Sequence, residues 1–185
     1  MSKTTKKTRK LTTMAMLVAV SVMLLYLVHF PIFPAATFLE YDPADIPILI
    51  GAFLFGPTAG LAITLLASVI QGITVSAASG PIGILMHVIS TGSMVLVAGS
   101  IYKKMHTRKG AAIALAAGVV TMTAAMSVCN LIFTPIFMGA PVEAVLNMMI
   151  PIIIPFNLVK SGVNSIITFF LYKSISRLVS GMEKE

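Results

Sequence analysis

The sequence has no tryptophan, one cysteine and six acidic residues among its 185, and charged residues of both signs make up only 10% of it. A lone Cys129 excludes an intrachain disulfide and a cysteine metal cluster, and its place inside the apolar run 111–134 reads as a buried, inert thiol. So little charge beside 57% hydrophobic residues excludes a soluble globular domain of this size. The phosphate-binding pattern G-x-x-x-x-G-K-[ST] is missing as well, so any ATP-driven step falls to partner proteins.

What is there instead is one apolar run after another, with a mean hydropathy of +0.99. Five stretches stand out, at 11–30, 45–71, 82–102, 111–134 and 155–172, near or beyond the roughly 18 to 20 residues that cross a hydrocarbon core. They leave no room for a separate soluble domain, so the expectation is a single integral membrane domain over 1–185. Residues 1–10 have the basic character of a signal-peptide start. The apolar stretch behind them lacks a small-residue cleavage site, however, and is read as a retained first span.

The net charge of +7 does not point to nucleic acid, because the basic residues cluster just beyond the ends of apolar runs, where they report topology and meet anionic lipid headgroups. The clusters are Lys3, Lys6, Lys7, Arg9 and Lys10; Lys103, Lys104, Arg108 and Lys109; and Lys173, Arg177 and Lys184. If 45–71 were a single span, the middle cluster would fall outside while the first stayed inside, against the positive-inside rule. Gly56-Pro57, a strong turn signal, splits that stretch in two and brings all three clusters inside, with Glu40, Asp42, Asp45 and Glu143 on or near the outer side. The expected fold is therefore an all-α membrane protein with six transmembrane helices and both termini cytoplasmic. Its spans lie at about 11–30, 45–56, 58–72, 82–102, 111–134 and 155–173, with an outer loop at 31–44. The second span is short, about 16 Å of helix for the stretch 45–55.

Lys160 is the basic residue that fits no cluster, lying near the outer end of the last apolar run. It either snorkels to the headgroups or, at a cost of roughly 2.5 to 3.5 kcal/mol for a charge within a span, faces a protein interior with a partner. Asn157, Lys160, Ser161 and Asn164 recur at three- and four-residue spacing and so share one helix face, which must look inward. Asn130 lies at nearly the depth of Asn157 on the antiparallel preceding span. Two amides and an ammonium then converge near the outer surface, a set suited to the carbonyl and imide edge of a heterocycle or to a carboxylate. Asparagines that merely join helices are the alternative, one that leaves the lysine unexplained. The group contains no nucleophile-and-base pair, and no catalytic or metal-binding residues are expected.

The outer loop is rich in proline and carries Phe38, Glu40, Tyr41 and Asp42. Asp45 either caps the following helix, aided by Pro47, or joins the loop acids. Glu40, Tyr41 and Asp42 are candidates for bonding the hydroxyls of a solute while the loop closes over it as a lid. His87 reads as a packing or pocket-lining histidine, Gln71 and Gly72 as residues of a pocket mouth, and the methionines as core filler or adaptable walls for a flat ring. Ala15 and Ala19 form a small-xxx-small pair that allows close approach of another helix.

Three stretches together resemble the substrate-binding S components of bacterial energy-coupling factor (ECF) transporters, the riboflavin-specific branch in particular. They are Glu40-Tyr41-Asp42-Pro43-Ala44-Asp45-Ile46-Pro47 leading to Phe55-Gly56-Pro57-Thr58-Ala59-Gly60, then Met126-Ser127-Val128-Cys129-Asn130, then Pro155-Phe156-Asn157-Leu158-Val159-Lys160. The resemblance implies an S-component bundle in the bacterial cytoplasmic membrane, crossing it many times. It further implies that Asn130, Asn157 and Lys160 contact the isoalloxazine ring, that loop residues 40–42 face the ribityl chain, and that Ala15 and Ala19 meet a transmembrane coupling protein driven by two ATPase subunits. The expected function is capture of riboflavin at the outer face for import, with no cofactor and no enzymatic step. S components for thiamine, pantothenate, biotin or folate share the scaffold, which does not fix the solute. A stand-alone secondary transporter would carry an internal repeat or a mid-membrane ionisable residue, and a membrane enzyme would carry an acid, base or metal cluster.

Overall fold

The computed structural model describes residues 3–34 and 36–181. Lys184, counted above with the third basic cluster, and Ala35 of the outer loop lie outside the described residues. The chain is a helical bundle of α1 (Lys3–Leu27), α2 (Asp45–Phe55), α3 (Pro57–Ile73), α4 (Gly80–Lys104), α5 (Arg108–Met138), α6 (Val142–Met148) and α7 (Ile154–Gly181). A two-residue antiparallel ribbon, β1 (Phe30–Pro31) with β2 (Glu40–Tyr41), joins the two ends of the outer loop beside these helices. The break after α2 falls at Gly56, whose φ of 92° is a backbone state open chiefly to glycine, and Pro57 then starts α3 with a φ already suited to a helix.

Four helical stretches are long and apolar enough to cross a membrane: Thr4–Leu27, Gly80–Lys104, Arg108–Met138 and Val142–Val179. α2 and α3 are shorter, at 11 and 17 residues. The length of α2 has a structural counterpart, since its residues Asp45 to Phe53 are all buried and it is enclosed by α1, α3, α4 and α7. A helix that is apolar all round belongs in the middle of a bundle. Ile48, Leu49, Ile63, Met94, Val95, Ala98 and Ala114 form the core around it. A Cβ on Gly60 would come within 2.6 Å of Ala52 Cβ and 2.5 Å of Val95, so the missing side chain is what lets α3 lie against α2 and α4.

Helical structure continues through a proline at two places. α5 continues through Pro135 to Met138 and stops at Gly139, which adopts the left-handed state at φ 62°. Before α7, the run Met149–Ile153 forms a π-turn that joins it to α6 and contains Pro151. A wider turn accommodates a residue that cannot donate the regular backbone bond.

The two ends of the bundle differ in chemistry. At one end Phe53 stacks on Tyr102 at 4.1 Å, Tyr172 meets both edge-on at 5.6 Å, and Lys10 lies over Phe55 at 5.8 Å. These contacts gather the start of α1 and the ends of α2, α4 and α7, and with them Lys103, Lys104, Lys173 and Arg177. At the opposite end the outer loop packs Ala36 and Leu39 against Val145, Met149, Ile153 and Phe156.

Candidate functional site

Beneath that loop is a cavity with about 950 Å³ of empty space, open mouth included. α5 contributes Met122, Met126, Asn130, Thr134 and Phe137 to it, and α7 contributes Phe156, Asn157 and Lys160. The loop supplies Phe38, Leu39, Glu40 and Asp42, with His29 beside them. Across from α5 and α7 stand Ser68, Gln71 and Gly72 of α3, Ser76 and Ser79 of the connecting turn, and Met86, His87 and Ser90 of α4.

The inward face expected of α7 is real in its burial: Asn157, Ser161 and Asn164 are almost fully buried and Lys160 is 8% exposed. Lys160 does not snorkel. Its Nζ donates to Asp42 Oδ2 at 2.6 Å and to the Glu40 carbonyl at 3.4 Å, which ties the loop to α7. Asn157 Nδ2 donates to the Ile153 carbonyl at 2.8 Å, and Asn130 is held between the Met126 carbonyl and the Thr134 hydroxyl, both at 2.8 Å. Each amide is thus fixed in rotation and keeps further hydrogen-bonding capacity, the condition for reading a flat heterocycle.

Tyr41 and Asn164 do not line the cavity; they stand behind its wall. The Tyr41 hydroxyl donates to Asn164 Oδ1 at 3.1 Å, while Asn164 Nδ2 donates to the Asp42 carbonyl at 3.1 Å and to Asp45 Oδ2 at 3.2 Å. Burial and the nearby Asp42 carboxylate push the Tyr41 phenol above its ordinary pKa, which keeps it protonated as that donor. Glu40 pairs with His29 at 2.7 Å at the mouth, beside the ribbon.

Asp45 is not the cap of α2. The N-cap position is Ala44, without a side-chain cap bond, and the Asp45 carboxylate is wholly buried. It accepts from Thr91 Oγ1 at 2.8 Å and from Asn164, and His87 Nε2 stands 3.6 Å away, so α2, α4 and α7 meet at one carboxylate. His87 does line the cavity, with Nδ1 2.7 Å from Ser68 Oγ. Ser68, Ser76, Ser79, Ser90 and Thr134 escaped the sequence reading, although Thr64-Ser68-Gln71, His87-Ser90 and Asn130-Thr134 repeat at helical spacing within apolar runs. Ala15 and Ala19 are exposed on α1, away from the buried Leu17, Val18, Ser21 and Leu25.

A buried cationic and amide-lined pocket under a closed loop, in an apolar helical bundle with no metal-binding cluster among the described residues, is the site of a membrane protein that binds a solute. The family model for the substrate-specific component of ECF transporters matches residues 9–172, and the chain belongs to that family. It is a transport protein and not an enzyme. The riboflavin transporter FmnP of Bacillus subtilis is 28% identical over 174 residues, covering 90% of this chain and 91% of that protein. The riboflavin transporter RibU of Streptococcus thermophilus is 29% identical over 180 residues, covering 93% and 85%. RibU of Staphylococcus aureus is 28% identical, covering 94% of each. A solved structure of the S component of a bacterial ECF transporter superposes with a TM-score of 0.80 at 29% identity, covering 94% of this chain and 98% of that one.

Proposed function

We propose that this chain captures riboflavin at the outer face of the bacterial cytoplasmic membrane and delivers it inward with a transmembrane coupling protein and two ATPase subunits. The observation that carries the ligand is the agreement of riboflavin-transporter relatives over nine-tenths of the chain with a pocket that sets Asn130, Asn157 and Lys160 among methionine and phenylalanine side chains. In this reading the amides and the ammonium meet the polar edge of the isoalloxazine ring, while Met122, Met126 and Phe156 pack on its faces. Glu40 and Asp42 close the site from the loop, and Tyr41 and Asn164 hold the loop down.

The chain crosses the membrane six times with both termini inside. α2 and α3 form the second and third crossings, and the basic end of the bundle lies in the cytoplasm. The outer loop over 31–44 acts as the lid. Ala15 and Ala19, exposed together on α1, are the surface for the coupling protein.

The test is to purify the protein in detergent, denature it, and record the absorption and fluorescence of what is released. A stoichiometric flavin spectrum is expected. A colourless preparation that also fails to quench added riboflavin sinks the flavin ligand and moves the search to the other vitamins.

A further inference from the structure

Asp45 is a wholly buried carboxylate in an apolar bundle, and Lys160, the cation of this region, is already paired with Asp42 at 2.6 Å. We infer that His87 supplies the missing charge: its ring and the Asp45 carboxylate hold one proton between them, and the resulting ion pair fastens α4 to the junction of α2, α7 and the outer loop. The pair stands apart from solute recognition and holds whichever solute binds.

The hydrogen bonds around the ring fix where its protons are. Ser68 Oγ donates to the Thr64 carbonyl at 2.7 Å, so toward His87, whose Nδ1 lies 2.7 Å away, it has only lone pairs to offer. Nδ1 therefore carries a hydrogen and donates to Ser68. In a neutral ring Nε2 would then be a bare acceptor, buried without a hydrogen-bond partner and facing Asp45 Oδ1 at 3.6 Å, acceptor against acceptor. A bridging water does not relieve this, because two acceptors bonded to one water at about 2.8 Å stand roughly 4.5 Å apart. A proton on Nε2 does. It turns the repulsion into a charge-assisted contact, and a shift of under about 1 Å brings the two atoms to hydrogen-bond distance.

The other charges around the pair leave this role to His87. α2 brings only Asp45 and α3 brings no ionisable side chain, while α4 brings none besides His87 before Tyr102 at its far end. α5 brings only Cys129 beyond its basic start, α1 has its lysines and arginine in its first turns and an exposed Tyr26, and α7 brings Lys160 ahead of Tyr172 and its basic end. In the loop Asp42 is taken by Lys160, Glu40 by His29, and the Tyr41 phenol by Asn164. Thr91, one turn after His87 on α4, donates to the same Asp45 Oδ1 at 2.8 Å, and Oδ2 accepts from Asn164 at 3.2 Å. Asn164 also donates to the Asp42 carbonyl at 3.1 Å, so the proton on His87 bears on a junction that reaches the outer loop.

The folded chain then holds a proton that the unfolded chain gives up as pH rises, so stability falls with rising pH. The unfolding midpoint of the wild type in detergent should drop by about 5 °C or more between about pH 6 and about pH 9. His87→Gln, which keeps a neutral donor for Asp45, and Asp45→Asn should each flatten that drop. His29→Gln, which breaks the other histidine–carboxylate pair, should retain it. Because a variant at a buried junction can fail to fold, a second measurement uses the wild-type ring itself: 15N spectra of histidine-labelled protein, with the resonances assigned through His29→Gln and His106→Gln. His87 should carry hydrogens on both ring nitrogens at neutral pH. A bare Nε2 at that pH, a wild-type midpoint that does not move with pH, or a drop that survives in His87→Gln would overturn the shared proton.

Discussion

Lys160 Nζ on α7 lies 2.6 Å from Asp42 Oδ2 in the outer loop, across 118 residues of sequence, with both side chains withdrawn from solvent. The lysine that lines the pocket therefore also ties the loop over 31–44 to α7. Removing one partner of a buried pair strands the other charge, a loss of about 3 to 5 kcal/mol, whereas removing both can be nearly neutral. Lys160→Met should lower the unfolding midpoint in detergent sharply, and Lys160→Met with Asp42→Asn should recover most of the loss. A double variant no more stable than the single one would show that the two side chains are not coupled.

Asp45 supports a different prediction because capping and bridging respond differently to serine. Serine is a good N-cap residue, so Asp45→Ser would be tolerated if the carboxylate only started α2. With Thr91, Asn164 and His87 gathered on it, Asp45→Ser should instead destabilise about as much as Asp45→Ala, by about 2 kcal/mol or more. Denaturation of the two variants in detergent reads the difference.

The proposed six-crossing topology predicts opposite sidedness for the two ends of α5. In a Cys129→Ser background, Ala140→Cys should react with a membrane-impermeant maleimide on intact cells, and Thr107→Cys only after permeabilisation. Labelling of both positions from outside would rule out the six-span arrangement.

Much of the site was legible in residue type and spacing. Asn157, Lys160, Ser161 and Asn164 recur at helical intervals in a run otherwise apolar, and burying that face follows from the cost of polar groups in lipid. The α3–α4 side of the pocket was harder to see. Single serines are common in apolar helices, where they bond their own backbone as Thr64 does to Gly60, and spacing alone does not separate those from serines facing a cavity. The extensions of α5 past Pro135 and of the last helix back through Pro151 were invisible for another reason. Proline is a strong local breaker, and only packing against neighbouring helices selects the continuous form.

Residue type and spacing were enough to establish that the chain is a membrane protein, that its helices break at Gly56, and which face of α7 turns inward. These follow from transfer free energies and backbone sterics, which act residue by residue. Only the packed fold shows that Asp45 is a buried junction and no cap, that Tyr41 and Asn164 hold the loop over 31–44 from behind the pocket wall, and that α2 sits enclosed at the centre of the bundle. Each depends on which distant groups arrive at the same place, and a carboxylate at a helix start has the same local signature whether water or three other helices surround it.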